Sequence, residues 1–142
     1  MAAVLASAVA IVFALGPISN RTQAATVISN PGCTKPEGGF LIVASDTGFN
    51  DSAAHLQADP SQPYPLITVA QGSNVTITIC SMSKVETHGF AIDHYFPVGK
   101  VLHPGDSFTI TFEAEQTGIF SVYCNVLCPI HEWMLQGELV VK

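Results

Sequence analysis

Two segments of this 142-residue chain alternate apolar and polar side chains, and this pattern restricts the fold more than any other feature of the sequence. The apolar positions are Val75, Ile77 and Ile79 in the first segment and Phe108, Ile110 and Phe112 in the second. Successive side chains of an extended strand point to opposite faces, so the alternation is typical of a strand with one buried and one wetter face. Both segments are therefore predicted to be β-strands that pack one face against a core.

Five further segments are rich in the β-branched and aromatic residues that favour strands. The seven predicted strands are 39–45, 66–70, 74–80, 89–92, 107–113, 118–124 and 137–141. Turn-forming residues separate many of them, as in Gln71-Gly72-Ser73-Asn74 and His103-Pro104-Gly105-Asp106, and no helical pattern follows residue 25. Strands at this spacing predict an all-β fold, namely an antiparallel β-sandwich of the Greek-key type.

The amino terminus differs from the rest of the chain. Its first 20 residues carry no charge, and residues 2–15 are almost entirely apolar. This length lies between a signal-peptide core of about 7–15 residues and a spanning helix of about 20. A Thr22-Gln23-Ala24 segment has the form of a cleavage site, so a membrane-anchoring helix and a cleaved signal both remain open. Either interpretation divides the chain into residues 1–24 and a domain of residues 25–142 on the extracytoplasmic side.

The charge balance excludes one class of partner. Eleven acidic and five basic residues give a formal net charge of -6. Nucleic-acid binding requires a basic surface that neutralises phosphates, so nucleic acid is not expected as a partner. An acidic excess usually reflects a solvated surface, and it would also steer a basic donor protein toward the domain.

Four cysteines are present, and outside the cytoplasm each is expected to be paired or bound to metal. Cys33 lies in a segment rich in Pro and Gly, and Cys80 ends a predicted strand. A Cys33–Cys80 disulfide would leave Cys124 and Cys128 as a separate pair, although spacing alone does not choose among the pairings. A purely structural sandwich with a Cys124–Cys128 disulfide is the alternative that predicts no metal.

Residues 123–134 contain several side chains that can bind a metal ion. Cys124, Cys128, His131 and Met134 supply two thiols, an imidazole and a thioether within this stretch. Soft sulfur and imidazole ligands suit copper or zinc, whereas calcium and magnesium prefer oxygen, and a zinc site has no use for a thioether. Copper electron-transfer sites combine histidine, cysteine thiolate and a weak axial methionine. The stretch therefore predicts a copper site.

The predicted strands indicate where this site lies. Cys124 continues the alternation of Phe120 and Val122, so its side chain is predicted to point into the sandwich at the end of a strand. Another imidazole must come from elsewhere in the chain, and the segment 86–94 offers His88 and His94. Histidines are more often surface or hydrogen-bonded residues than ligands, and this is expected of His55, His94 and His103.

Several motifs in the second half of the chain point to one family. They are His88-Gly89-Phe90, Leu102-His103-Pro104-Gly105, Gly118-Ile119-Phe120, the ligand stretch from Cys124 to Met134, and Gly137-Glu138-Leu139-Val140-Val141. In these motifs the chain resembles the extracytoplasmic cupredoxin domain of cytochrome c oxidase subunit II, which carries a dinuclear copper centre called CuA. A single apolar N-terminal helix is similar to the anchor of the shorter versions of this subunit.

The resemblance implies a role for each candidate residue. Cys124 and Cys128 would bridge two copper ions, and His88 and His131 would each bind one of them. The remaining ligands would be the weakly bound thioether of Met134 and the backbone carbonyl of Val126.

The resemblance also implies a place in a respiratory chain. Such a domain accepts electrons from a soluble donor, either cytochrome c or a small copper protein. It passes them to haem in oxidase subunit I and is not catalytic alone. The N-terminal helix would hold it at the membrane.

One spacing departs from the family pattern. The family has three residues between the second cysteine and the histidine, whereas only Pro129 and Ile130 separate Cys128 from His131. The shorter spacing is similar to that of a mononuclear, type 1 (blue) copper carrier of the amicyanin kind, in which Cys124 would be spare. An unused thiol beside copper outside the cytoplasm would be exposed to oxidation, which favours a ligand role for Cys124. Both the dinuclear and the mononuclear site therefore remain open.

Overall fold

The computed structural model describes residues 25–29, 31–50, 64–128 and 134–142. These residues form ten β-strands, and no α-helix lies among them. In chain order the strands are β1 (Thr26–Ser29), β2 (Phe40–Ser45), β3 (Gly48–Asn50), β4 (Leu66–Val69), β5 (Asn74–Ser81), β6 (His88–Ile92), β7 (Phe96–Leu102), β8 (Ser107–Glu113), β9 (Gly118–Tyr123) and β10 (Gly137–Val141).

The strands form two five-stranded sheets, which confirms the predicted all-β sandwich. One sheet has the order β1-β8-β5-β2-β3 and the other the order β4-β10-β9-β6-β7. The expectation of purely antiparallel sheets is wrong, because β2 pairs in parallel with β5 and β4 in parallel with β10. Each parallel pair joins strands that other strands separate along the chain. Alternation and turn residues identify strands, but they carry no information on such distant pairings.

The seven predicted strands are all present, whereas β1, β3 and β7 were not predicted. Each of these three lies at an edge of its sheet. The first two contain only four and three residues, too few for a recognisable alternation. The third, β7, contains Pro97 and Gly99, which weaken a strand pattern but are tolerated where one edge of the strand has no partner.

The core lies between the sheets and is built around aromatic rings. Phe90 of β6 contacts Phe49 with a centroid separation of 5.8 Å and Phe108 with one of 6.3 Å, both in edge-on geometry. All three rings are buried. Because Phe90 follows the first residue of β6 by two positions, this packing fixes the strand that begins with His88.

The outer face of β5 and β8 is not uniformly wetter. Thr78 and Thr109 are buried there, and their Oγ1 atoms lie 2.8 Å apart in a hydrogen bond. Further along this face the Gly32 N–H donates to Ser107 Oγ at 3.2 Å. The chain that leads into β2 therefore covers part of a face that alternation alone assigns to solvent.

The predicted Cys33–Cys80 disulfide is present and links positions 47 residues apart. It ties the segment before β2 to β5. Cys124 and Cys128 are both thiols, so the alternative disulfide between them is wrong.

The predicted N-terminal helix of residues 1–24 lies outside the described residues. Within the described parts of the chain, no helix has the length and apolarity needed to cross a membrane.

Candidate metal centre

His88 opens β6 and is fully buried. Its Nε2 lies 2.6 Å from Ser83 Oγ, whereas its Nδ1 is buried without a hydrogen-bond partner among the described residues. Burial lowers the pKa of His88, although the nearby carboxylates of Glu86 and Asp46 act in the opposite direction. A lowered pKa keeps the imidazole neutral near pH 7, and the neutral ring is the form that binds metals. Buried polar atoms are rarely left unpartnered, which makes Nδ1 a candidate ligand atom.

Cys124 follows the last residue of β9 and is fully buried, as its phase with Phe120 and Val122 predicted. Its Sγ accepts a hydrogen bond from the Gly89 N–H at 3.1 Å. The same thiol donates to the Val126 carbonyl oxygen at 3.0 Å. A backbone donor directed at sulfur also stabilises a metal-bound thiolate, so this position is already arranged for a ligand.

Cys128 and Met134 bring a second thiol and the thioether to the same place. The Cys128 Sγ lies 4.0 Å from the Met134 Sδ, and both residues are buried. The backbone of Met134 is held at the end of β9, because its carbonyl accepts the Cys124 N–H at 2.8 Å. The two ends of the ligand stretch are therefore fixed relative to each other.

The ligand atoms of His88, Cys124 and Cys128 all lie within 4.8 Å of one another. Two sulfurs and one imidazole nitrogen form a soft set that suits copper and does not suit calcium or magnesium. The unpartnered Nδ1 of His88 and the burial of all three residues agree with a site for a metal ion.

The structure thus brings together several residues that the sequence singled out. His88, Cys124 and Cys128 form the cluster, Met134 lies beside Cys128, and the carbonyl of Val126 lies beside Cys124. His131 lies outside the described residues, so its assignment as a ligand stays a prediction.

The other predicted histidines have partners of their own. His94 Nε2 lies 2.7 Å from Glu115 Oε1, and the ring stacks on Phe120. The exposed His103 bonds through Nδ1 to Asp106 Oδ2 at 3.1 Å. Both are hydrogen-bonded, in agreement with the expectation that they are surface or hydrogen-bonded residues, while His55 lies outside the described residues.

Two features of the site were not recognised from the sequence. One is Ser83, the hydrogen-bond partner of His88. The other is Asn125, whose Nδ2 donates to the Val98 carbonyl of β7 at 3.0 Å. Asn125 crosses the outer side of β6, where a Cβ added at Gly89 would collide with the asparagine side chain. The glycine of the His-Gly-Phe motif therefore leaves room for the loop that carries the two cysteines.

This contact makes Gly89→Ala informative. We expect the variant to lose about 1–3 kcal/mol of unfolding free energy, because the new methyl group displaces Asn125 from β6. Urea denaturation of the metal-free chain measures this loss. When Asn125→Ala is the starting point, adding Gly89→Ala should cost much less stability, because the colliding side chain is gone. Additive losses in the double variant would contradict the clash with Asn125.

Fold and site together define the class of this protein: a cupredoxin-like copper-binding domain. No family model matches the chain. Over 85 residues, or 58% of its length, it is 29% identical to a nitrous-oxide reductase of Ralstonia nicotianae, and the match spans 13% of that enzyme. Among solved structures, it superimposes on a chain of a haem-copper terminal oxidase with a TM-score of 0.58 and 19% identity, covering 84% of this chain and 80% of that one.

A second structural likeness is to amicyanin. The TM-score is 0.51 and the identity 15%, with 84% of this chain and 99% of amicyanin covered. At these identities the structural likenesses show the fold, and they confirm the predicted cupredoxin architecture. The chain is thus similar both to part of a haem-copper oxidase and to a small copper protein.

Proposed function

We propose that this domain binds copper as a dinuclear, CuA-type centre and transfers electrons. One observation carries the proposal: the two thiol sulfurs of Cys124 and Cys128 and a ring nitrogen of His88 lie buried within 4.8 Å of one another. Copper held by these residues would supply one-electron redox chemistry. His131, Met134 and the Val126 carbonyl would complete the ligand set, as the resemblance to oxidase subunit II implies.

The protein contributes a dry and fixed set of ligands. His88, Cys124 and Met134 are fully buried and Cys128 is only 7% exposed, so their side chains exclude water from the cluster. The Gly89 N–H and the backbone bond between Cys124 and Met134 hold the sulfur positions in place. Ligands that are held in advance move little when charge changes, which favours fast electron transfer.

The arrangement of Cys124 supports two copper ions rather than one. In a mononuclear site that used Cys128 alone, Cys124 would be a spare thiol. Its sulfur instead lies in the cluster and receives a backbone N–H from the residue after His88. Two thiolates in one cluster would together hold a pair of copper ions, whereas a single ion would leave one of them unused.

A mononuclear, type 1 site is the second candidate. The two-residue spacing between Cys128 and His131 favours it, and so does the structural likeness to amicyanin. In this arrangement the domain would be an electron carrier or a small redox protein outside an oxidase.

Copper stoichiometry and an EPR spectrum of the full chain distinguish the two sites. Two coppers per chain, with hyperfine splitting from two equivalent nuclei, are expected for the dinuclear centre. One copper with a four-line pattern would establish the mononuclear carrier instead. A purified chain that binds no copper would refute both.

We further propose that the domain lies on the extracytoplasmic side of a membrane, anchored through residues 1–24 or released by their cleavage. The Cys33–Cys80 disulfide supports this location, because disulfides persist in oxidising compartments.

Electrons would come from cytochrome c or a small copper protein and pass to haem in oxidase subunit I. The likeness to a haem-copper terminal oxidase supports this partnership. Co-purification with a haem-bearing membrane subunit tests it, and a copper-loaded chain that purifies without one would contradict it.

Met134→Leu tests the weak-ligand role of the thioether. We expect the copper content to stay unchanged and the reduction potential to shift, because an axial thioether tunes the potential more than it holds the metal. Leucine conserves the buried volume, so the variant should lose less than about 1.5 kcal/mol of stability. Voltammetry and copper analysis measure both effects. The exposed Met82 provides the matched control, and an equal potential in Met82→Leu and Met134→Leu would argue against the role.

A further inference from the structure

Ser83 lies two residues beyond the end of β5 and is 5% exposed. Its Oγ is 2.6 Å from the Nε2 of His88. The metal cluster uses no atom of Ser83, yet this hydroxyl is the hydrogen-bond partner of the one histidine in the cluster. Ser83 can therefore influence which nitrogen atom of the His88 imidazole carries the proton.

The backbone around Ser83 is held from two sides. The Met82 N–H donates to the Ala44 carbonyl of β2 at 2.8 Å, and the Ser81 N–H donates to the Asp106 carbonyl at 2.8 Å. These bonds fix the segment against β2 and against the turn between β7 and β8. The hydroxyl of Ser83 is thus a fixed partner rather than a mobile surface group.

A neutral imidazole carries its one proton on either Nδ1 or Nε2, and the hydrogen bond at one nitrogen decides which. If Nε2 carries the proton, it donates to Ser83 Oγ and leaves a lone pair on the buried Nδ1. If Nδ1 carries the proton, a buried N–H lacks a partner among the described residues. Burying an unpartnered donor is unfavourable, so the contact with Ser83 favours the first tautomer.

We propose that Ser83 is a positioning residue: its hydroxyl accepts the Nε2–H of His88 and so keeps the lone pair of Nδ1 available to the metal. The expected effect of Ser83 on metal binding rests on the proposed copper function. The expected effect on the His88 tautomer concerns the metal-free chain alone. Removal of the hydroxyl leaves Nε2–H buried without a partner and allows the Nδ1–H tautomer, which offers no lone pair at that atom. Outer partners of ligating histidines typically contribute about 10–100-fold to metal affinity.

Nitrogen-15 NMR of the metal-free full chain at neutral pH reads the tautomer directly. In the unsubstituted chain the His88 signals should be those of a protonated Nε2 and an unprotonated Nδ1. In Ser83→Ala the signals should shift toward a mixture of tautomers. Ser81→Ala is the matched control, since Ser81 is also buried, has the same side chain and makes no side-chain hydrogen bond among the described residues. Ser83→Thr, which keeps a hydroxyl, should restore the original signals.

Copper titration of the same variants measures how much Ser83 contributes to the copper affinity. The affinity of Ser83→Ala should fall about 10–100-fold relative to Ser81→Ala, and Ser83→Thr should recover most of it. An Nδ1–H tautomer in the unsubstituted chain would overturn the proposal, and so would equal affinities of Ser83→Ala and Ser81→Ala. Failure of the unsubstituted chain to bind copper would instead refute the proposed function, and the NMR experiment would still decide the tautomer.

Discussion

Replacement of Cys124 by serine is expected to abolish the proposed dinuclear centre. The copper content should fall from two ions per chain to at most one, and the EPR signature of two equivalent nuclei should disappear. A serine hydroxyl is a harder ligand than a thiolate and does not ionise near neutral pH, so it cannot bridge two copper ions in the same way. It would also deprive the Gly89 N–H of its sulfur acceptor. Copper analysis and optical spectra of the purified variant measure the result.

Cys128→Ser is the companion experiment, because its thiolate is a ligand in both the dinuclear and the mononuclear site. That variant should lose the intense thiolate-to-copper absorption in either case. An unchanged absorption band in Cys124→Ser, combined with its loss in Cys128→Ser, would contradict the dinuclear assignment. Circular dichroism of the metal-free variants provides the control for folding.

Removal of the Cys33–Cys80 disulfide should have the largest effect on stability. The bond closes a loop between residues 47 positions apart, and the chain-entropy relation assigns about 4 kcal/mol to a loop of this length. The double variant Cys33→Ala with Cys80→Ala avoids an unpaired buried thiol. Urea unfolding of the metal-free variant and of the unsubstituted chain, both without reductant, measures the difference. A loss below about 1 kcal/mol would show that other contacts hold the segment before β2.

The sequence predicted the inner strands of the fold better than its edges. Alternation in β5 and β8 marks the apolar side chains that face the core, and both strands lie inside a sheet rather than at its edge. Edge strands such as β1 and β7 bury less of their surface, so their sequences need no alternation. The parallel pairing of β4 with β10 joins residues that lie about half the chain apart, and no local pattern encodes it.

The residues of the candidate site were also predicted only in part from the sequence. Cys124 was placed correctly because it continues the phase of a strand, and His88 because it begins a recognisable motif. Asn125 was missed because its role arises only when the loop after β9 meets β7. Ser83 was missed although it lies just before β6, on the connection that leads to His88. A serine near a histidine is too common in sequences to indicate a hydrogen bond.

The hydrogen bond between the Cys124 N–H and the Met134 carbonyl closes the base of the excursion that leads from β9 to β10. Above this closure, Gly137 already pairs with Val122, so the register of the two strands is set independently of the excursion. The pairing of β9 with β10 therefore does not depend on the length of the ligand stretch, so a change in that length need not shift the register of the two strands.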